Sequence, residues 1–525
     1  MKYLKRFDTT SQYNQYISGG GVILPNVSLC DDTNIVHYNP YDYSKEYLTT
    51  VALEDGTISF NIWDSMGTDM ITSISYSTDN GQTWETTNNV NDKESHLTIS
   101  VDVSEGDKVL WKGDAQQLGY YDYDDYDDSF GSFFSSDCEF NVQGNVMSML
   151  YGDDFIGEDT LGYDYIFAYL FYDYNEEHEC LVTSAEHMVL PATTLTSNCY
   201  YRMFGDCARL TTAPELPSTT LADGCYNYMF EDCSSLTTAP ELSATTLANK
   251  CYNSMFFNCT SITTAPELPA TTLADSCYQN MFGGCTSLTT APELPATTLA
   301  NGCYSDMFRG CTSLTTAPEL SVTTLAYTCY YGMFQDCTSL TTAPELPATT
   351  LTVGCYSNMF RGCTGLTIAP ELPATTLAEG CYNSMFRGCT SLTTAPELPA
   401  TTLANGCYQN MFFNCTSLTT VPELPATTLT DYCYNYMFNG CTSLTTAPEL
   451  PATTLVNHCY GNMFEGCTSL NSIKCLATNI SASDCTYRWV RNVAASGTFT
   501  KAASMTGWIT GASGIPSGWS VQDAS

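Results

Sequence analysis

The chain has 525 residues, with 56 acidic side chains against 17 basic ones and a net charge of −39. Such a chain repels nucleic acid and anionic membrane surfaces, since both are bound through Lys and Arg, so neither partner is expected. Charged residues are only 14% and hydrophobic ones 43%, which excludes a disordered acidic tail and allows a large core.

The chain begins MKYLKRFDTTSQYNQYISGGGVILPNVSLC, basic and then polar. No apolar run comes after it, so no secretory leader is expected, and no stretch is long and apolar enough for a transmembrane helix. Residues 1–46 are broken at Gly19–Gly21 and predict an extended attachment segment that orders on a partner surface. Residues 47–138 carry alternating runs, TISFNIW, ITSISYS, HLTISVDV and KVLWKG, and predict a small β-sandwich-like domain. Within it STDNGQTW, Ser77–Trp84, matches the Asp-box pattern of sialidases, where it is a scaffold hairpin. Arg6 is the sole arginine before residue 180, so no cluster for a sialic carboxylate accompanies it. The reading is a structural hairpin. The Asp run at 122–128 lacks EF-hand spacing and reads as a loop. Residues 139–190 predict the N-terminal cap of a solenoid, LFYDYNEEHECL being a loosely aligned, lengthened copy of its repeat.

From 191 to 475 the chain repeats every 26 residues in eleven copies, without insertion or deletion. CYSNMFRGCTGLTIAPELPATTLAEG, residues 355–380, is typical. Counting the first Cys as zero, apolar residues fall at 0, +1, +4, +5, +8 and +11. That spacing predicts a helical turn or two with both thiols on its buried face. Leu-Thr-Thr-Ala predicts a short strand, ended by Pro at +15. Such a coil cannot bury its apolar side alone and must stack on its neighbours, at about 4.8 Å per rung if strands set the spacing. Cys485 continues the first column, but Trp489 and Val490 replace Met-Phe, so residues 476–525 predict a C-terminal cap.

The MF-x-x-C-x-S-L-x-x-x-P-x-L pattern resembles BspA-like leucine-rich repeats of bacterial surface proteins. The resemblance implies an α/β repeat solenoid of leucine-rich-repeat type, here preceded by the small β-sandwich-like domain. The flanks FDTTSQYNQYISGGGVILPNVSLCDDTNIVHYNP and GTFTKAASMTGWITGASGIPSGWSVQDAS resemble structural proteins of gut Bacteroidota phages. Together these resemblances imply a non-enzymatic virion appendage, a fibre or capsid-decorating protein. Its N-terminal segment would meet a virion protein, and its solenoid a host surface protein or glycan. A homo-oligomer is compatible with this. The alternatives are a bacterial cell-surface adhesin of the BspA type and, more remotely, a carbohydrate-active hydrolase, which needs two carboxylates at a cleft.

Side-chain chemistry points the same way. The cysteines are spaced C-x7-C, unlike zinc pairs, and are expected to be buried, reduced thiols, with disulfides between rungs as the alternative. Glu at +16, from Glu215 to Glu449, predicts a solvated acidic edge, with weak divalent-cation association as the sharper reading. Adjacent Thr pairs point to opposite faces and make no ice-binding row. The histidines 37, 96, 178, 187 and 458 are scattered. No catalytic residue, cofactor or metal ligand is expected. Between copies, positions −3 to −1, +2, +3, +6 and +7 vary and are expected to face solvent. They supply the candidate partner-binding surface: Tyr228, Phe257, Arg309, Tyr327, Tyr331, Arg361, Arg387, Phe413, Tyr432 and Tyr436.

Overall fold

Alternating burial shapes the first part of the chain. The structure, a computed structural model, describes residues 42–62, 70–88, 97–119, 131–172 and 180–524. Most of the 1–46 segment and the Asp run at 122–128 lie outside these. Among the described residues nine strands precede the repeats: β1 Leu48–Ala52, β2 Gly56–Ile62, β3 Ile71–Ser77, β4 Glu85–Asn88, β5 Leu97–Val103, β6 Lys108–Ala115, β7 Phe133–Ser136, β8 Phe140–Asn145 and β9 Val182–Val189. They form a six-stranded sheet, β4-β3-β6-β1-β8-β9, and a three-stranded sheet, β5-β2-β7. The sheets meet through Phe60, Trp111 and Phe134, with Phe60–Trp111 centroids 6.1 Å apart and Phe60–Phe134 4.7 Å. The Asp box is the β3–β4 turn. Asp79 accepts from the Thr83 amide at 2.8 Å and the Thr83 hydroxyl at 2.6 Å. These bonds hold its carboxyl down at about 2.

The sheet then runs into the repeats. β9 lies parallel to β8, and Ser184 bridges to Thr212 and Thr212 to Thr238; the bridges resume at Thr264–Thr290–Thr316, Thr342–Ile368, Thr394–Thr420 and Thr446–Ser472. The expected Leu-Thr-Thr-Ala strand is therefore one bridging residue per rung, at +13. A second parallel column of bridges joins the Thr residues at +21, as in Thr220–Thr246–Thr272–Thr298.

The expected helix is absent. Among the described residues helical segments occur only at Tyr43–Lys45, Ser148–Tyr151 and Gly152–Asp154, all before the repeats. Positions −1 to +8 are consecutive reverse turns, and residues −1, +3 and +7 are left-handed, as in Asn198, Arg202 and Asp206. Amide roles alternate along the chain. Tyr201 and Met203 bond back three residues, to Asn198 and Tyr200, closing turns. Tyr200, Arg202, Phe204 and Asp206 instead donate to Cys225, Asn227, Met229 and Glu231 of the next rung. A turn recurring every four residues presents 0, +1, +4, +5 and +8 inward, as a helix nearly would. The left-handed requirement explains +7, which is Gly, Asp or Asn in all eleven copies with φ between 57° and 79°.

Identical rungs stack identical side chains. Tyr at +1 and Phe at +5 form two columns of near-parallel rings, the Phe centroids 5.6–5.9 Å apart from Phe204 to Phe464. The stacked turns thus space wider than the strand distance expected. Offset stacking in this range is favourable and adds to burial. Each +8 thiol donates to the +5 carbonyl of the preceding rung, at 2.9–3.1 Å, for example Cys233 to Phe204 and Cys363 to Phe334. The 26 cysteines among the described residues are free and buried.

Both ends are closed by aromatics. Phe171 stacks on Phe204 at 5.1 Å and on Phe134 at 5.1 Å, joining the Phe column to the sheet core. At the other end Trp489 covers Tyr460 and Phe464, and Trp508 stacks on Trp489 at 5.6 Å. The last rung continues as a parallel sheet of β10 Ser472–Cys475, β11 Thr498–Lys501 and β12 Ser520–Asp523.

This packing can be tested at two points. Gly362 is left-handed at φ 74°, and a Cβ there would lie 2.0 Å from Asp336 Oδ1. Gly362→Val should cost at least about 1–2 kcal/mol, read as a lower urea midpoint, and Asp336→Gly in the same chain should restore part of it. Burial pushes the thiols up, Cys407 to about 12. At pH 8 a thiol reagent should therefore label few cysteines in the native protein and all 27 after denaturation. Extensive native labelling would contradict the packing.

Candidate functional site

The turn face carries the variable residues, and its columns have different jobs. At −2, side-chain oxygens cap the next rung. Asp223 Oδ1 accepts from the Asn249 amide at 3.0 Å, Asn249 Oδ1 from Asp275 at 3.2 Å, and Asp275 Oδ1 from Asn301 at 2.9 Å. At +2, amides bond along the stack, Asn253 to Gln279 at 3.1 Å and Asn383 to Gln409 at 3.2 Å. Position +2 was expected in solvent, yet Asn253, Ser305, Ser357 and Asn435 are buried. Ser254, Asn358 and Ser384 at +3 and Gln335 at +6 are buried too. Neighbouring rungs satisfy some of these polar groups, as for Asn253, Ser357 and Asn435, and the adjacent residue satisfies others, as for Ser305, Gln335 and Ser384, so variation there is interior polar packing.

The remaining positions reach the surface. Tyr327 and Tyr432 are the most open of the candidate aromatics, 56% and 41% exposed, and Tyr432 stacks on His458 at 4.6 Å. Arg309 is exposed, while Tyr228, Tyr331, Arg361, Arg387 and Tyr436 are half-buried. Phe257 and Phe413 were expected exposed and are also half-buried. Each ring lies along the +6 column against the neighbouring rung. Phe257 covers Gly283, and Phe413 lies beneath the Arg387 guanidinium, 4.5 Å from its ring centroid.

The ten residues fall into separate groups. Tyr228 and Arg309 share a groove of about 310 Å³ with Lys250, Asn253, Asn280 and Asp306. An adjoining groove carries Tyr165, Tyr201, Asn198 and Asn249 and shares Asn227 and Lys250 with the first. Asn227 lines both grooves, and its Oδ1 is buried without a hydrogen-bond partner. Burial pushes the Asp306 carboxyl up. Arg361, Arg387, Phe413 and Tyr436 form a second group further along, with Phe413 and Tyr436 centroids 6.2 Å apart. Tyr327 and Tyr331 stand on the rung between.

Sequence reading missed Lys250, the one lysine in the −1 column, and the ion pair at the start of the stack. Arg202 meets Glu231 at 2.7 Å and lies 5.0 Å from the Tyr228 ring. Opposite charges at +3 of one copy and +6 of the next were the available signal. Burial outweighs the Arg202 attraction and, with Asp232 and Asp206 adding repulsion, pushes Glu231 up to about 7. Asp206 is pushed up by burial and by Asp232.

The Glu row from Glu215 to Glu449 is exposed along its whole length, and Lys474 closes on its last member, Glu449, at 2.8 Å. Among the described residues no group of three His, Cys, Asp or Glu is placed to hold a metal. No helix among them is long and apolar enough to cross a membrane.

Stacked turns with a buried aromatic and thiol spine, offering variable side chains on one continuous face, define a repeat protein with an extended contact surface. The chain belongs to the BspA type leucine-rich-repeat family, whose model matches residues 182–289, 275–410 and 357–493 in six copies, more than half of the chain. No curated protein and no solved structure matches it.

Glu231 has a folded value raised above that of an ordinary Glu, so its charged form destabilises the fold. That cost is present above about pH 7 and is relieved as pH falls from 7 toward 4.5. The thermal midpoint should rise over this interval, and Glu231→Gln should flatten that slope. An unchanged slope would remove Glu231 as its source.

Proposed function

We propose that this is a non-enzymatic binding protein, carried on a phage particle as a fibre or capsid decoration, whose repeat stack contacts a host surface protein or glycan. Residues 1–46 would meet a virion protein, and the turn face would point outward. One observation carries the binding role. Left-handed positions favour Gly, Asn and Asp, and most copies place such small residues there. Yet Tyr228, Lys250, Tyr432 and Tyr436 occupy them at φ 58°, 54°, 59° and 56°. A bulky side chain in that conformation costs on the order of 1 kcal/mol. Residues that weaken the scaffold and are held at the surface have a use other than folding. Aromatic and basic side chains are also those that dominate protein contacts.

The virion assignment draws on the two flanks alone. Membership of the BspA type family supports a second reading, a bacterial cell-surface adhesin that uses the same face. A hydrolase has little support in the Asp box, because Ser77, Asp79 and Thr83 spend their side chains within the turn.

Mass spectrometry of purified particles separates the first two readings. The polypeptide should co-purify with capsid protein at constant stoichiometry, and its recovery only from bacterial envelopes would favour the adhesin. The binding face is tested with Lys250→Asn and Tyr432→Asn. Each should raise the thermal midpoint slightly, by the equivalent of about 1 kcal/mol, and weaken adsorption of the full chain to host cells. Unchanged adsorption by both would count against this face.

A further inference from the structure

Arg361 and Arg387 stand out in a chain of this charge. Among the described residues, most bases have found an acid: Lys45 with Asp42, Lys112 with Asp153, Arg202 with Glu231, Arg209 with Glu139, Lys474 with Glu449, Arg491 with Glu465 and Lys501 with Asp523. Arg361 and Arg387 are in no such pair, nor are Lys108, Lys250, Arg309 and Arg488, but only Arg361 and Arg387 are arginines at +6 on adjacent rungs. Gly362, next to Arg361, donates its amide to the Arg387 carbonyl at 2.7 Å, which places the two arginine backbones side by side. Like charges so placed repel each other, and burial with the charge of Arg361 pulls Arg387 below its ordinary value. Phe413, on the next rung, pins the Arg387 guanidinium at 4.5 Å, and Tyr436 flanks Phe413. Asn410, left-handed at φ 56°, stands three residues before Phe413.

We infer that Arg361, Arg387, Phe413 and Tyr436 form a binding site for an acidic saccharide, a sugar bearing a carboxylate or sulfate. The site deepens the binding role proposed above and rests on it. A carboxylate or sulfate accepts the paired N–H donors of a guanidinium fork and relieves the repulsion between the two arginines. The Tyr436 ring, and the part of Phe413 that the Arg387 guanidinium leaves uncovered, offer an apolar surface to the C–H face of a sugar. Asn410 supplies a neutral polar group for hydroxyls. The net charge of −39 sets the upper limit on the partner's charge density. A polyphosphate, a nucleic acid or a second copy of this chain would bring a strong negative field against the whole surface. A saccharide with isolated anionic groups engages the two arginines and little else.

The test uses the full chain and titration calorimetry at low and at physiological salt. The probes are sialyllactose, an oligogalacturonate and a sulfated lactose, with lactose and the galacturonate methyl ester as neutral counterparts. At least one acidic probe should bind and its neutral counterpart should not. Arg361→Gln with Arg387→Gln should weaken binding by about tenfold or more, with an unchanged or higher thermal midpoint because the repulsion is gone. Phe413→Leu should weaken it several-fold, and Arg488→Gln, exposed on the C-terminal cap and outside both grooves, should leave it intact. Equal binding of neutral probes overturns the inference. So does indifference to the double substitution, or a single-stranded DNA oligomer or acidic peptide binding as tightly as the sugars. If host cells still adsorb the double variant as well as the parent and no acidic sugar binds, the inference fails while the binding role stands. If the parent chain adsorbs to nothing, the binding role fails with it.

Discussion

A reverse turn that recurs every four residues, with alternate amides aimed at the next rung, is the constraint on which the repeat region depends. Half of the amides from −1 to +8 close turns within the rung, and the other half reach the adjacent one. The bonds between rungs require each residue to face its counterpart, so a single insertion would shift every later donor out of register. That accounts for eleven copies without a gap. It also places chemically identical side chains one above another, which is why the core is a set of columns. Tyr and Phe tolerate this because flat rings stack. The +8 cysteine tolerates it because its thiol is small and finds the +5 carbonyl of the rung before.

Much of this was legible in the sequence. The period, the inward residues, the Trp489 rung and the Asp-box hairpin could all be read from spacing. The helix was the misreading, and the reason is geometric. Over eight residues a helix of 3.6 residues per turn drifts roughly 80° from a repeat of four, so both put Cys, Met and Cys on one side. The deciding signal was the restriction of +7 to Gly, Asp and Asn, which no helix interior requires. The strand was misjudged for a related reason. In a stack, one bridging residue per rung is enough to pair neighbouring rungs, and local propensity sees only the rung.

The candidate surface was harder to read, because variation among copies was equated with exposure. In a single globular layer that equation holds well. Here Asn253, Gln279, Asn383 and Gln409 vary and yet bond to one another along the stack. A column can change its residue wherever the neighbour supplies a matching donor or acceptor, so interior polar columns drift as surface ones do. What sequence could not supply is adjacency between columns. Only the fold brings +3 and +6 side by side, uniting Arg202 with Glu231 and Phe413 with Tyr436.

Electrostatics and backbone strain then separate scaffold from function. The exposed Glu row needs no partner, because water and salt screen it. The arginine pair has no such account: it is half-buried, mutually repulsive and lacks an acid, in a chain where acids outnumber bases 56 to 17. The same holds for Tyr432 and Lys250 in left-handed positions, where Gly or Asn would fold more easily. Each feature lowers stability in a region whose other columns are close to uniform. A scaffold assembled from near-identical rungs tolerates such local costs, since the neighbouring rungs hold the strained one in place. Binding surfaces in repeat proteins can therefore be sought where one rung departs from its neighbours at an energetic cost, and in this chain that criterion selects the Lys250–Tyr228 groove and the Arg361–Tyr436 patch.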